Sequence, residues 1–517
     1  MKKILKMFLI SGFTVFSFSS CDNRDENNEA LSSAEVNKLK VDNLYDSKSN
    51  LKREFGKALV KSLNESKALR DLIKNESLKM FDNDYEVLYQ MIKNETLENN
   101  LTVRNLILKN LENENLLNDI EINNPTLTIL VPELPENSFS AKLWDTDNQV
   151  PKVAVRLTTS NDVPLINQDG TEEVLEAKYI PGFPVIVLKD NERIISSNNS
   201  TNKNLKTNSI AVINGVNYKF LDDCFDGSKK INNQTARTVP TSSLDSKLIT
   251  AYNTYVNTDG WQRDFVYYDI TPGTPKGPFK YNFQESIKTF SLQGDPRAAY
   301  NKIADQTGDP KLAEGGHAVN DVYKFNTGWT GGNFEFKVRI IVNGKNGVGS
   351  EIIKYFNATG SDLFDHSFVA IQKRFPAITI YELRINSLKQ MNLNIPIFNW
   401  DLDQYASSIK IDIEEIDLTE TTILTESRNV EFASNFGVDV SGGYKDYVKI
   451  GLKYGTSQKV NSVSTIQRTF TQGNDLLGDV IVNFGDNIII GTTGSTYTTR
   501  EYNSGLYSIT VEPARVQ

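Results

Sequence analysis

A chain of 517 residues is longer than one hydrophobic core organises, so two or three domains are expected. Its 56 Lys and Arg against 65 Asp and Glu leave a net charge of −9, which argues against a nucleic-acid partner. Two His and two Cys argue against zinc chemistry and against a disulfide scaffold.

The first twenty residues read as an export signal. Lys2, Lys3 and Lys6 precede an apolar stretch from Met7 to Phe18, too short for a permanent membrane span, and Ser19 and Ser20 lead into Cys21. Phe18-Ser19-Ser20-Cys21 resembles a bacterial lipoprotein signal, and Arg24-Asp25-Glu26 resembles the export signal of Bacteroidota surface lipoproteins, with Arg24 where lysine is commoner. The resemblance covers only these N-terminal residues. It implies a diacylglycerol on Cys21 and an anchor in the outer membrane at the cell surface. Cys224 then has no partner for a disulfide, and its acidic neighbours Asp222, Asp223 and Asp226 suit a structural thiol better than a nucleophile.

Residues 21–50 are polar and read as a tether. Over 51–120, Leu51, Phe55, Ala58, Leu59 and Leu63 recur at helical spacing, and Leu69, Leu72 and Ile73 continue it after a capping Ser66. Asp82 reads as a second cap before a stripe of Tyr85, Leu88, Tyr89 and Ile92, and Leu101 to Leu111 gives another helix. Three or four short helices are expected, packed together or laid against the next segment of the chain.

At Pro125 the period changes to two. Residues 121–227 read as a small β domain, with strands near Leu127–Val131, Val153–Leu157 and Val185–Leu188, and a hairpin turning at Asn214-Gly215. Residues 228–249 read as a linker. The segment 250–425 reads as a β-sandwich domain, and 426–517 as a further β region packed on it. Asp295-Pro296 and Asp309-Pro310 are helix starts. Ile409, Ile411 and Ile413 alternate with Lys410, Asp412 and Glu414, the pattern of a strand with one wet face. The fold class expected is mainly β, with an α-helical N-terminal region and β-sandwich domains.

Chemistry is sparsely marked. No nucleophile elbow or phosphate loop is present, and His317 and His366 lie 49 residues apart without a metal-binding neighbour pattern. The most site-like cluster is Asp259, Asp264 and Asp269 beside Trp261, Tyr267 and Tyr268. Paired carboxylates hydrolyse glycosides and aromatic rings stack on sugars. The alternative for the same residues is a solvated strand flanked by core aromatics. Asp222 to Gly227 and Asp145 to Asn148 are acidic turns that fail the EF-hand spacing, so calcium is possible without a motif and no other cofactor is expected. The Ser/Thr-rich stretch Gly455–Gly473 has the character of a membrane-inserting hairpin, although an ordinary sandwich strand accounts for it better.

Three functions are expected from these residues. The first is a surface module binding a glycan, a peptide or an envelope partner. The second is a carboxylate-dependent hydrolase, and the third a membrane-active β-rich protein.

Overall fold

The computed structural model describes residues 41–42, 44–158, 160–198, 209–213, 216–228, 244–258, 260–274, 277–304, 328–344, 349–374, 377–416, 423–434, 460–471, 474–494 and 496–516. Cys21, Arg24, Asp25, Glu26, Asp259, His317, the turn at Asn214-Gly215 and the start at Asp309-Pro310 lie outside them. The described chain is mainly β, with its helices concentrated towards the N-terminus and two principal hydrophobic cores.

The first core joins helices and strands. Helix α1 (Ser47–Glu65) starts at Asp46, whose carboxylate accepts from the Ser49 amide in a capping box. Ser66 caps α2 (Lys67–Ser77) as expected, accepting from the Leu69 amide. Strand β1 (Glu86–Leu88) and the single turn α3 (Tyr89–Ile92) come next, then α4 (Val103–Leu111) and α5 (Glu114–Asn123). The strands β2 (Leu127–Leu130), β3 (Lys152–Val155), β4 (Val163–Ile166), β5 (Glu172–Leu175), β6 (Tyr179–Pro181) and β7 (Val185–Asp190) succeed them. All but β6 form a six-stranded sheet in the order β1-β2-β7-β3-β4-β5, antiparallel except for the β3/β7 pair. The sheet and the helices bury their apolar residues together, so the helical stripe of Phe55, Leu59 and Leu63 is laid against strands rather than closed on itself. Gly56 lets α1 approach closely, because a Cβ there would meet Ile166 and Leu188. A small three-stranded sheet, β8 (Ile194–Asn198), β10 (Val216–Phe220) and β9 (Ser209–Ile213), has its own core around Tyr218 and Phe225.

The second core is a β-sandwich preceded by helices α6 (Ser246–Tyr255) and α7 (Gln262–Tyr268). The elements continue with β11 (Phe283–Leu292), α8 (Pro296–Ile303), β12 (Phe334–Gly344), β13 (Gly349–Ala358), α9 (Gly360–Leu363), β14 (Phe364–Arg374) and β15 (Ala377–Leu388). Then come β16 (Gln390–Pro396), β17 (Tyr405–Glu415), β18 (Ile423–Ser434), β19 (Val460–Thr471) and β20 (Asp475–Asn483). The last are β21 (Ile489–Thr493), β22 (Thr496–Thr499), β23 (Glu501–Asn503) and β24 (Tyr507–Arg515). Sheet β16-β11-β24-β23 faces sheet β13-β12-β17-β20, and Phe290 bridges them with its ring 5.1 Å from Phe336 and stacked on Tyr507. Because β24 pairs with β11 and β20 with β17, the C-terminal segment completes both sheets of the sandwich. Strands β18 and β19, 12 residues each, pair along their whole length.

Three local expectations differ from the structure. Asp82 caps no helix, because β1 intervenes and the Asp82 side chain turns inward to a polar network. The expected linker gives way to α6 from Ser246, capped by Asp245. Asp412 and Glu414 do not face water: both are buried beside Arg339, whose guanidinium lies 2.8 Å from Glu414. Period two reports a polar face, and this one is covered.

Buried side chains of α7 tie it to the sandwich, Arg263 among them. Arg263 is wholly buried, donates two hydrogen bonds to the Glu285 carboxylate at 2.8 and 3.2 Å, and donates two more to the carbonyls of Asp486 and Val511. Removing one partner of such a pair leaves the other charged and dry, at a cost of about 3–5 kcal/mol. Arg263→Met should therefore lower stability by about that much, read from the denaturant midpoint of the sandwich at unchanged slope.

Candidate functional site

The sequence-marked cluster is placed on a helix and its edges, not on a strand. Tyr267 and Tyr268 are fully buried in the sandwich core, where the Tyr267 hydroxyl donates to Glu285 and the Tyr268 hydroxyl to Asp401. Trp261 is partly buried, edge-on to Phe484. These rings are engaged in packing. Asp264 is also buried; desolvation pushes its carboxyl up to about 7. Asp269 instead lies at the helix end with a left-handed backbone, φ 56°, ion-paired to Lys247 and to Lys280. Burial opposes its ionisation, but the two lysines prevail and its pKa is lowered. The two acids thus occupy different environments, one in the core and one at the surface.

The acidic turns hold themselves together. Asp145 accepts from the Asp147 and Asn148 amides, and Asp222 accepts from the Cys224 amide. Among the described residues no group of three or more His, Cys, Asp or Glu is arranged to hold a metal ion. Cys224 is free, and burial followed by the charge of Asp222 pushes its thiol well above the ordinary range.

The structure assembles a different site where the two cores meet. Backbone pairing crosses this junction, since β6 of the first half pairs with β15. Beside that seam a groove of about 570 Å³, including its open part, is lined by both halves of the chain. Tyr300, Trp329, Phe334 and Phe364 are buried side chains of its wall; His366, Phe368 and Leu383 are half-buried, and Glu133 stands exposed at the rim. The His366 ring lies edge-on to Phe368 at 5.2 Å. Of the candidate residues that sequence reasoning singled out, His366 falls in this groove. No local spacing marks the rest, because they come from α8, β12, β14 and β15.

Behind the groove lies a buried polar network. Asp82, Asp84 and Glu86 arrive from β1 and the residues before it. Lys189, Glu192 and Arg193 arrive from the end of β7 and the turn after it, and Glu335 from β12. The Lys189 ammonium contacts Glu86 at 2.5 Å and Glu192 at 2.6 Å, and donates to the Gly331 carbonyl at 2.8 Å. Arg193 pairs with Glu335 at 2.5 Å and Asp84 at 3.2 Å. The Asn191 amide donates to Asp82 and Glu86 together, at 2.7 and 2.6 Å. Burial alone would lower the Lys189 pKa, yet Glu192 and Glu86 outweigh it and raise it. Burial raises Glu86 well above the carboxylate range, raises Asp82, and lifts Glu335 to about 7 against the pull of Arg193.

No family model, curated protein or solved structure matches the chain.

Gly332 permits the seam. Its backbone has φ +84°, and a Cβ would run into the Asp84 carboxylate. Gly332→Ala should cost about 1–3 kcal/mol in thermal unfolding, by strain plus displacement of that acid. Gly505→Ala, at φ +97° with nothing within 4 Å, isolates the strain alone and should cost about 1 kcal/mol.

Proposed function

We propose that the protein is a lipid-anchored envelope protein, held in the outer membrane through Cys21 and displayed at the cell surface, whose folded part is a binding module. The groove between the two cores carries this reading. Its composition is that of a ligand site, with apolar and aromatic walls and few polar groups at the rim. Half-buried Phe368, packed edge-to-face with His366, brings an aromatic ring to the wall, and His366 and Glu133 add hydrogen-bonding groups to the lining, which suits a glycan better than a small apolar molecule. A peptide or envelope partner is the other ligand class compatible with such a wall.

The hydrolase reading finds no favouring observation in the placement of Asp264 and Asp269. The membrane-active reading has in its favour only the length of the β18/β19 ribbon. Residues 455–459 and 472–473 of the Ser/Thr-rich stretch lie outside the described residues. No described helix is long and apolar enough to cross a membrane; the attachment proposed is the lipid on Cys21.

Two measurements test the proposal. Cys21→Ser should abolish fatty-acid labelling and move the protein out of the membrane fraction. In a glycan-array screen of the folded part, a hit should lose affinity at least about tenfold, or about 1.4 kcal/mol, on Phe368→Ala or His366→Ala at unchanged melting temperature. Binding indifferent to both substitutions would remove the groove as the site, and a screen positive only with peptides would reassign the ligand class.

A further inference from the structure

We propose that the buried network at the junction is a proton-stabilised latch, which closes the two halves of the chain by taking up protons and loosens as pH rises. Five carboxylates, Asp82, Asp84, Glu86, Glu192 and Glu335, are buried in one connected network with three cations, Arg156, Lys189 and Arg193. Fully ionised, these eight groups leave two negative charges in excess away from bulk water. Glu415 lines the crevice beside Glu335 and adds a further acid. Cys224, the other titratable group near Arg193, holds its proton throughout the working range and contributes no charge.

A buried excess charge is neutralised by a proton, an ion or disruption. Lys189 and Arg193 are already engaged by carboxylates, Arg156 lies at the crevice wall beside Glu192, and no described cluster offers three ligands to a metal. Protons remain, and the geometry offers them a place. Asp82 and Glu86 are drawn together by the one Asn191 amide, an arrangement in which two acids share a proton more readily than two charges. The crevice lined by Arg156, Glu192 and Glu335 provides a route for exchange with solvent.

The network also spans the seam. Arg193 and Lys189 belong to the first half of the chain, while Glu335, the Gly331 carbonyl and the Asn333 amide that donates to Asp84 belong to the second. Its protonation is therefore linked to closure. In an opened or unfolded chain these acids titrate near their usual values of about 4. Asp82 and Glu86 are raised when closed and Glu335 is lifted to about 7, so above about pH 4, and for Glu335 up to about pH 7, the closed state holds protons that the open state releases. Closure is favoured as pH falls through that window and weakened as pH rises through it. Each retained proton changes the opening equilibrium by up to about tenfold per pH unit.

The test is the pH dependence of unfolding of the full chain between about pH 8 and 5, with EDTA present throughout. Glu86→Gln and Glu335→Gln keep the shape of a protonated acid and remove one titration each. Each should flatten the dependence by up to about tenfold in the unfolding constant per pH unit. The difference from wild type cancels other raised acids, including Asp264. Infrared difference spectra provide a second readout: wild type at about pH 7 should show a protonated carboxylic-acid stretch that Glu86→Gln diminishes. Slopes identical to wild type, or the absence of that band, would overturn the latch. A slope that appears only when EDTA is omitted would replace the proton with a metal ion.

Discussion

The arrangement of this molecule turns on Arg193. Its guanidinium is out of water, yet it touches the Asp82 carbonyl, the Asp84 carboxylate and the Glu335 carboxylate, three groups from two halves of the chain. A buried cation with partners on only one side would be a liability of several kcal/mol. Here each half supplies what the other lacks, and the relative placement of the halves follows from satisfying the charge. The parallel position of Lys189, between Glu86 and the Gly331 carbonyl, repeats the same logic slightly earlier in the chain. Apolar contact across the seam adds adhesion without direction; the ions supply register.

The sandwich is organised by a related device. Arg263 and Glu285 form a buried bidentate pair that orients α7, and with it Tyr267, against the end of the β-sheets. Ion pairs in both places do little for net stability compared with an apolar replacement, but they exclude misplaced packings in which a charge would be left alone. A chain with one free thiol among its described residues has no disulfide there to do this.

Much of this was visible in the sequence, and the parts that were not share a cause. Ser66 and Asp295 cap helices where they were expected, and the alternation along Ile409–Ile413 marks a central strand of the sandwich. Local pattern reports local structure. It does not report what covers a polar face, so Asp412 and Glu414 read as wet when they are buried beside Arg339. Nor does it distinguish an aromatic ring set for a ligand from one set for the core: Tyr267 and Tyr268 sit beside acids in sequence and inside the hydrophobic cluster in space. The junction groove had no sequence signature because its lining comes from segments far apart in the chain, from Glu133 to Ile385.

The groove and the latch share a wall. Gly332 and Phe334 line both the open concavity and the crevice beside Glu335, and the Gly332 backbone packs on the carboxylate of Asp84. A change in the ionisation of the network is therefore felt first by the strip of chain from Gly331 to Glu335, which carries the floor of the groove on its other side. Close-packed interiors transmit such shifts because neighbouring side chains have no free space in which to absorb them. If the groove binds a ligand and the network takes up protons as proposed, the shared strip links the two, and linkage makes that relation reciprocal.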